Sequence, residues 1–294
     1  MQATLDSFVE ENKLFVQEEF NKVFNQLDIP ASLKESMLYS LEAGGKMLRP
    51  TLLIASYDAY GNDRKKVIAP ALALEMIHTY SLIHDDLPAM DDDDIRRGKP
   101  TNHIAFNEAT AILAGDGLLT YSFELLATDP HLTDKQKVFL ISELSRSSGP
   151  KGMVAGQLLD MEAENREITL EELERIHVLK TGELIKFAIR SGAYIGNATE
   201  KQLEHLDEFA YYLGLIFQVQ DDILDVTGNQ DVIGKPVGSD IDNQKSTYPK
   251  LLGNKGAAQQ KEKYVKLAKK SLYQANADNS YLMKLTDYFS TRNH

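Results

Sequence analysis

Apolar residues recur along most of the chain at the spacing of an α-helix, and no stretch shows the sustained alternation of apolar and polar positions that a half-buried strand requires. The first apolar pattern, at 5–27, predicts one or two helices that Pro30 ends. Further helices are predicted at 31–42, 51–59, 67–84, 101–126, 136–147, 153–163, 170–180, 184–195, 201–226, 250–252, 257–275 and 280–291. The pattern predicts an all-α bundle, and the lack of an interior linker rich in Gly, Ser or Pro predicts a single domain over 1–294.

Local signals set several helix boundaries. Thr169, with Glu172 three residues later, is a capping box that opens the helix 170–180. Gly44-Gly45 end the preceding helix and permit a tight turn. Between 228 and 246 the chain is polar and shows no strand signal, so a loop is expected there.

Six carboxylates crowd into the ten residues that follow the apolar helix 67–84, in the order Asp85-Asp86-Leu87-Pro88-Ala89-Met90-Asp91-Asp92-Asp93-Asp94. Like charges at this spacing repel unless cations lie between them, and carboxylates are ligands that suit Mg²⁺. Arg96 and Arg97 follow, and guanidinium groups are shaped to bind phosphate oxygens. An isolated acidic run more often forms a solvated loop. A calcium loop is a further alternative, but the EF-hand pattern requires a glycine at its sixth position, which is absent.

A second acidic group lies within the apolar stretch 209–226. Asp221 and Asp225 are four residues apart and share one helical face, with Asp222 beside them. Two carboxylate clusters on two core helices predict the facing walls of one metal site. This second cluster is what favours a functional interpretation of the first.

Basic residues elsewhere fit an anion-binding role. Lys46 and Arg49 are three residues apart and able to converge on one anion, although a helix end with two surface cations is the alternative. His78 lies seven residues, or two helical turns, before Asp85 and therefore shares the face of the acids. A satisfied core histidine is the alternative there.

Composition narrows the class of protein. A length of 294 residues allows one large domain or two smaller ones, and 43% hydrophobic with 26% charged residues is ordinary for a soluble globular protein. The net charge of −12 argues against nucleic-acid binding through a basic surface. The chain has no cysteine, which excludes disulfides and thiolate ligands. The acidic start lacks a basic leader and no segment has 18 uninterrupted apolar residues, so a cytoplasmic protein without a membrane anchor is expected.

Two carboxylate clusters with scattered cations describe a site for a diphosphate. Carboxylates repel a diphosphate, so metal ions must bridge them. Cations spread the charge of a departing pyrophosphate and lower the barrier to breaking its carbon–oxygen bond. If that carbon is allylic, the resulting carbocation needs an apolar cavity, which the helix upstream of Asp85 would line. No Walker-type glycine-rich loop is present in the sequence, which argues against an NTPase.

These motifs resemble those of the trans-isoprenyl diphosphate synthases. The paired signature is Asp85-Asp86-x-x-x-x-Asp91 with Arg96-Arg97, and Asp221-Asp222-x-x-Asp225. Other segments of the family pattern fall in the expected order over essentially the whole chain: Gly-Gly-Lys-x-x-Arg-Pro at 44–50, Tyr-Ser-Leu-Ile-His-Asp-Asp at 80–86, Lys180-Thr181-Gly182, Phe217-Gln218 and Lys235. Within the family, the longer first motif with Pro88 resembles the bacterial farnesyl diphosphate synthases.

The resemblance implies a fold and a set of roles. The fold is an isoprenoid-synthase-type helical bundle with a central cavity. Mg²⁺, as three ions for which Mn²⁺ can substitute, is held by Asp85, Asp86, Asp91, Asp221, Asp222 and Asp225, with Asp92 as a further candidate. The allylic diphosphate is bound by Arg96, Lys180, Thr181, Gln218 and Lys235, and isopentenyl diphosphate by Lys46, Arg49, His78 and Arg97. Lys245 contributes when its loop closes.

The resemblance also implies the reaction. Dimethylallyl or geranyl diphosphate ionises, the alkene of isopentenyl diphosphate attacks the cation, and a proton is then lost to the released pyrophosphate. The family forms homodimers. One departure is visible, since the family commonly has Arg where this chain has Met47. Lys46 and Arg49 remain, so isopentenyl binding is expected to survive.

The length of the product is argued from the wall of the helix before Asp85. Tyr80 lies five residues and Ser81 four residues before Asp85, roughly one turn away. A bulky Tyr80 acts as a floor that stops the growing tail, whereas the small Ser81 leaves depth for one more unit. This combination resembles the farnesyl (C15) synthases. The alternative is that Tyr80 only packs in the core.

Three competing functions are open. A geranylgeranyl diphosphate synthase differs only in product length. The pair His84-Asp85 fits an HD-type metal phosphohydrolase, which leaves the second aspartate motif unexplained. A non-catalytic subunit of a heteromeric synthase is expected to have lost metal ligands, and the sequence retains every one that the motifs require.

Overall fold

The computed structural model describes residues 4–164, 166–227 and 246–292. It is 77% helical with 1% strand, which confirms the predicted all-α class. The helices are α1 Leu5–Gln26, α2 Ala31–Leu41, α3 Leu48–Asp58, α4 Ile68–Asp85, α5 Asn102–Ala105, α6 Glu108–Thr128, α7 Asp134–Ser148, α8 Met153–Ala163, α9 Leu170–His177, α10 Glu183–Ile195, α11 Glu200–Thr227, α12 Tyr248–Gln274 and α13 Tyr281–Thr291.

Short elements connect some of these helices. A 3₁₀ turn, Arg64–Val67, leads into α4, and a π-helical segment, Val178–Gly182, joins α9 directly to α10. After α4, β1 Ile95–Arg96 and β2 Lys99–Pro100 form an antiparallel pair in the register Ile95↔Pro100 and Arg96↔Lys99. The sequence pattern did not predict this pair because two-residue strands are too short to show alternation.

The predicted boundaries are largely confirmed, with three differences. One is that the helices predicted at 250–252 and 257–275 together form α12, which is kinked at Gly253, where φ is 69°. The capping box forms as expected: the Thr169 side chain accepts from the N–H of Glu172, whose carboxylate accepts from the N–H of Thr169 at 2.8 Å. The predicted helix 101–126 is two helices, because the Asn107 backbone is extended and its side chain caps α6 by accepting from the N–H of Thr110 at 2.9 Å. The helices predicted at 170–180 and 184–195 form one continuous rod through the π-helical segment.

The Cα positions group into two compact units, and the first comprises Met1–Ile54 and Asp63–Ile141. Its core is α4, which packs against α1, α2 and α6. Small residues on α6 permit a close approach, since a Cβ at Gly115 would lie 2.2 Å from Nε2 of His84. The acidic run therefore starts from a helix that is held firmly on several sides.

The second unit comprises Ala55–Asn62 and Ser142–His294. Its central helix is α11, which packs against α10, α12, α13 and the π-helical segment. One face of α11 is fully buried through Leu206, Phe209, Leu213, Ile216 and Val219. The second aspartate motif continues the same helix beyond this buried stretch.

One described segment, Arg64–Asp85, is long and apolar enough to cross a membrane by length and composition. Within it, 72% of the apolar window is buried inside the structure. A helix that forms the core of a folded unit passes the same test, and this burial identifies α4 as such a core helix.

Candidate active site

The acidic run folds back on itself where α4 ends. The N–H of Asp91 donates to the carbonyl of Asp85 at 2.9 Å, and the N–H of Asp92 donates to the carbonyl of Leu87 at 3.2 Å. Asp92 has φ of 53°, in the left-handed region that aspartate tolerates better than most residues. The two ends of the Asp85–Asp91 motif are therefore brought together by the backbone.

The three predicted metal ligands of this loop differ in their environment. Asp86 is 3% exposed and accepts a hydrogen bond from Nε of Arg96 at 2.6 Å. Burial raises the pKa of Asp86, and the paired Arg96 opposes that effect. Asp91 is exposed and Asp85 is half-buried. Asp86 is thus the buried partner of Arg96. This ion pair fixes the guanidinium of Arg96, a predicted phosphate-binding group, beside the loop.

The predicted isopentenyl-binding cations lie in the same unit. Nη1 of Arg49 lies 3.2 Å from Nε2 of His78. Burial, together with the charge of Arg49, lowers the pKa of His78 well below its ordinary value, so this ring is neutral and accepts from Arg49. Arg97 donates to the carbonyl of Gly44, and a Cβ at Gly45 would lie 2.5 Å from its Nη1. Gly45 therefore leaves room for the Arg97 guanidinium, and the turn places both glycines at positive φ, 95° at Gly44 and 120° at Gly45.

Glu75 is a member of this group that the motifs did not indicate. It is 6% exposed on α4, and burial raises its pKa while the charges of Arg49 and Arg97 act in the opposite direction. The sequence did contain a signal for this residue. Glu75 is an acid within an apolar stretch and lies three residues before His78, and residues at that spacing share one face of a helix.

The side chain of Met47 lies in a pocket formed with α1 and α2. Its side chain is 5% exposed and lines a pocket with Phe20, Leu38 and Leu41. Polar side chains of α1 line the same pocket, so the residue that departs from the family pattern is buried in a pocket of mixed apolar and polar lining. Lys46, beside it, is half-buried.

The two residues predicted to set product length are next to each other on α4. Tyr80 is 6% exposed, and its ring meets that of His84 edge to face at 5.7 Å between centroids. Burial, with the charge of Asp85, raises the pKa of Tyr80 to about 12. The hydroxyl of Ser81 donates to the carbonyl of His78 at 2.8 Å, so this small side chain is satisfied within its own helix.

In the second unit, the π-helical segment carries Lys180 and Thr181. Nζ of Lys180 donates to the carboxylate of Asp160 on α8 at 2.7 Å, and Thr181 is 8% exposed. Two glycines allow the wider turn to pack: a Cβ at Gly156 would lie 2.2 Å from the backbone nitrogen of Lys180, and one at Gly214 would lie 3.0 Å from Cα of Gly182. π-Helical turns are frequent at functional sites.

Replacing Gly156 with Ala is expected to destabilise the fold by about 1–3 kcal/mol, the usual range for overpacking, because backbone rather than a flexible side chain occupies the space. The measurement is the free energy of unfolding in urea. Gly117→Ala on α6 is the matched control, since the three atoms nearest to its Cβ would all belong to flexible side chains, the sulfur of Met37 being the nearest at 3.3 Å. Equal stability of both variants would contradict the close approach at Gly156.

The second aspartate motif also contains three different carboxylates. Asp222 is 6% exposed and accepts from the N–H of Tyr248 at 2.8 Å, so it stabilises the first turn of α12. Asp221 pairs with Arg292. Asp225 is half-buried. As in the first motif, one acid of the three is buried within the protein.

His177 lies between two predicted site residues, although the motifs did not single it out. Its Nδ1 is 3.4 Å from Nε2 of Gln218, and its Nε2 is 3.9 Å from Oδ2 of Asp222. The ring stacks on that of Tyr248, with centroids 5.9 Å apart and planes at 14°. Burial lowers the pKa of His177 to about 4.

This buried histidine is expected to make the metal-free protein less stable in mild acid. The folded protein keeps His177 neutral down to about pH 4, whereas the unfolded chain binds its proton near 6.5. Between these values the unfolded state binds more protons, so stability falls as the pH falls, by up to about 3 kcal/mol at the lower end. His177→Gln removes this term, so the stability difference between wild type and variant should shrink as the pH falls from 7 to 4. A difference that is independent of pH would contradict the assignment.

Lys235 and Lys245 lie outside the described residues, so their predicted roles stay predictions. The expectation that the two aspartate clusters form facing walls also stays a prediction, because the clusters belong to different units.

The comparisons with known proteins agree with the motifs. The chain belongs to the polyprenyl synthetase family, whose model matches residues 30–285. It is 49% identical over 294 residues to the farnesyl diphosphate synthase of Bacillus subtilis (strain 168), covering 99% of each chain. It is 40% identical over 290 residues to the geranylgeranyl diphosphate synthase of Cyanophora paradoxa, covering 98% of this chain and 96% of that one. Among solved structures, a geranyltransferase from Legionella pneumophila has a TM-score of 0.85 at 33% identity, covering 97% of this chain and 96% of its own. The resemblance inferred from the sequence is confirmed.

Enzymes of this family are metal-dependent. Among the residues that the structure describes, no group of three or more His, Asp or Glu side chains is gathered to hold a metal ion by itself. Mg²⁺ is usually bound by one or two carboxylates, with waters and substrate phosphates completing its shell, so a complete protein cage is not required. The hard oxygen donors of Asp85 and Asp91, drawn together by their backbone hydrogen bond, fit such a partial site.

Proposed function

We propose that this protein is a Mg²⁺-dependent farnesyl diphosphate synthase, which condenses isopentenyl diphosphate head to tail with dimethylallyl or geranyl diphosphate. The observation that carries the proposal is an alignment that covers 99% of this chain and 99% of a farnesyl diphosphate synthase at 49% identity. Arg96 contacts the first aspartate motif, and Lys180, which pairs with Asp160, lies in the same unit as the second. The geranylgeranyl synthase shares less identity, at 40%, which favours the shorter product.

In this proposal, the oxygen ligands Asp85, Asp91, Asp221 and Asp225 hold the metal, and Asp86 and Asp222 support them from within the protein. Three Mg²⁺ ions, or Mn²⁺ in their place, are proposed. Held by these residues, the metal would supply positive charge to offset that of the diphosphate and of the pyrophosphate as it leaves.

The residues of the chain bind and orient the two substrates. Arg96, Lys180, Thr181, Gln218 and Lys235 bind the allylic diphosphate, and their positive charges and donors favour departure of pyrophosphate with the electrons of the broken carbon–oxygen bond.

Lys46, Arg49, His78 and Arg97 bind isopentenyl diphosphate, and Lys245 joins them when its loop closes. The isopentenyl alkene then forms the new carbon–carbon bond, and one proton is lost to pyrophosphate, which restores a neutral hydrocarbon chain. His78 is suited to binding rather than to proton transfer, because it is neutral and its Nε2 already accepts from Arg49.

Several properties of the whole protein are part of the same proposal. We propose one polyprenyl synthase domain over 1–294, a homodimer, and a cytoplasmic location. The membership of the chain in the polyprenyl synthetase family argues against the alternative of an HD-type metal phosphohydrolase.

The test is product analysis after the purified protein is incubated with Mg²⁺, labelled isopentenyl diphosphate and either dimethylallyl or geranyl diphosphate. A C15 product is expected from both starters. A C20 product would retain the condensation and overturn the assignment of product length. A protein that makes no product in either mixture would overturn the proposed activity and favour a non-catalytic subunit.

A further inference from the structure

The last described residue, Arg292, contacts the second aspartate motif through its side chain. Its guanidinium donates to Oδ1 of Asp221 and to the carbonyl of Phe217 at 3.3 Å. The same group lies over the ring of Phe217, with Cζ 4.1 Å from the ring centroid. Arg292 follows α13, so the end of the described chain meets α11 at the motif.

The backbone of Arg292 is fixed independently of its side chain. Its carbonyl accepts from Nε2 of Gln220 at 2.7 Å, and Oε1 of that glutamine accepts from Nζ of Lys261 at 2.5 Å. Lys261 also donates to the carbonyl of Ser290 at 2.8 Å. Arg292 is therefore fixed both through its backbone carbonyl and through its guanidinium group.

This geometry differs from that of an ordinary surface ion pair, which contributes little because two mobile chains must be ordered in water. The side chain of Arg292 is 9% exposed, whereas that of Asp221 is 41% exposed. The buried cation is the fixed partner, and the carboxylate that reaches solvent is the one it orients. Stacking on an aromatic face strengthens the hold, as expected for a desolvated guanidinium.

We propose that Arg292 is a positioning residue for Asp221: it fixes the orientation of this carboxylate before the metal and diphosphate arrive. The inference rests on the proposed function, in which Asp221 is a metal ligand. Partners that hold a metal ligand in place typically change metal affinity about ten- to a hundredfold when removed. Arg292 is placed to act in this way through one oxygen of Asp221.

The experiment is a calorimetric titration of Mg²⁺, and separately of Mn²⁺, into protein with saturating inorganic pyrophosphate. Arg292→Gln is expected to raise the metal concentration for half-saturation about ten- to a hundredfold. Arg292→Lys keeps the charge but not the planar group over Phe217, and should recover part of the loss. The KM for isopentenyl diphosphate should be unchanged in both variants.

Lys269→Gln is the matched control, because it breaks an exposed ion pair between α12 and α13, from Lys269 Nζ to Asp287 at 2.5 Å, without touching α11. It should bind metal as the wild type does, and melting temperatures establish that all variants fold. Unchanged or tighter metal binding in Arg292→Gln, or equal weakening in Lys269→Gln, would overturn the positioning role alone. A wild-type protein that binds no metal with pyrophosphate would overturn the proposed function, and the inference with it.

Discussion

Replacing Asp85 with Asn is expected to lower kcat for condensation about a thousandfold while leaving the fold intact. Asparagine keeps the shape of the side chain and removes the charge that helps to hold Mg²⁺ at the end of α4. Metal stabilisation of developing charge contributes several kcal/mol to catalysis, and each 1.4 kcal/mol is a factor of ten in rate. The measurement is steady-state turnover of geranyl and isopentenyl diphosphates over a range of Mg²⁺ concentrations.

The matched control for this variant is Asp94→Asn in the same loop. Asp94 is exposed, and its contact with the next segment is made by its carbonyl, which accepts from the N–H of Thr101 at 2.9 Å and is kept in the variant. Its kcat should change by less than about threefold, the range of a screened surface charge. An equal fall in both variants would show that the total charge of the loop matters and not the position of Asp85.

Replacing Tyr80 with Ala is expected to lengthen the product from C15 to C20, and replacing Ser81 with Phe to shorten it to C10. The first change removes the aromatic ring of Tyr80, a residue that is only 6% exposed, and so opens space along α4. The second adds bulk one position nearer to Asp85. Products are separated by chain length after dephosphorylation. Loss of a buried aromatic side chain costs about 3–5 kcal/mol of stability, so the Ala variant is assayed at low temperature.

Tyr80→Phe separates the bulk of this side chain from its hydroxyl. The ring that meets His84 is retained, so the product should stay at C15. Unchanged product length in both Tyr80→Ala and Ser81→Phe would contradict the floor and leave Tyr80 as an ordinary core residue.

Periodicity was sufficient to predict the long helices because their buried sides carry regularly spaced apolar residues, as α4 and α11 show. The differences from the prediction have two local causes, a side-chain cap and strands too short to show a pattern. Asn107 interrupts the predicted helix 101–126 through a single capping hydrogen bond. The β1–β2 pair was missed because its four residues are too few to alternate.

The site was predicted at the level of motifs but not of individual roles. Spacing grouped Asp85, Asp86 and Asp91 as equivalent, because spacing carries no information on burial. The structure separates them, since Asp86 is engaged by Arg96 inside the protein. Residues that act through a site residue were invisible for a related reason: the contact of Arg292 with Asp221 joins positions 71 residues apart in the sequence.

The π-helical segment Val178–Gly182 amounts to one additional residue inserted into an otherwise regular rod from α9 to α10. Each residue turns a helix by about 100°, so this insertion sets the rotational phase between the two halves. Upstream of it His177 faces the second aspartate motif, and downstream α10 buries Leu184, Phe187 and Ala188. Removing one residue from the segment would restore an α-helix and rotate one of these faces out of place. The number of residues in the segment, and not only the identity of Lys180 and Thr181, therefore determines which side chains of the rod face the motif.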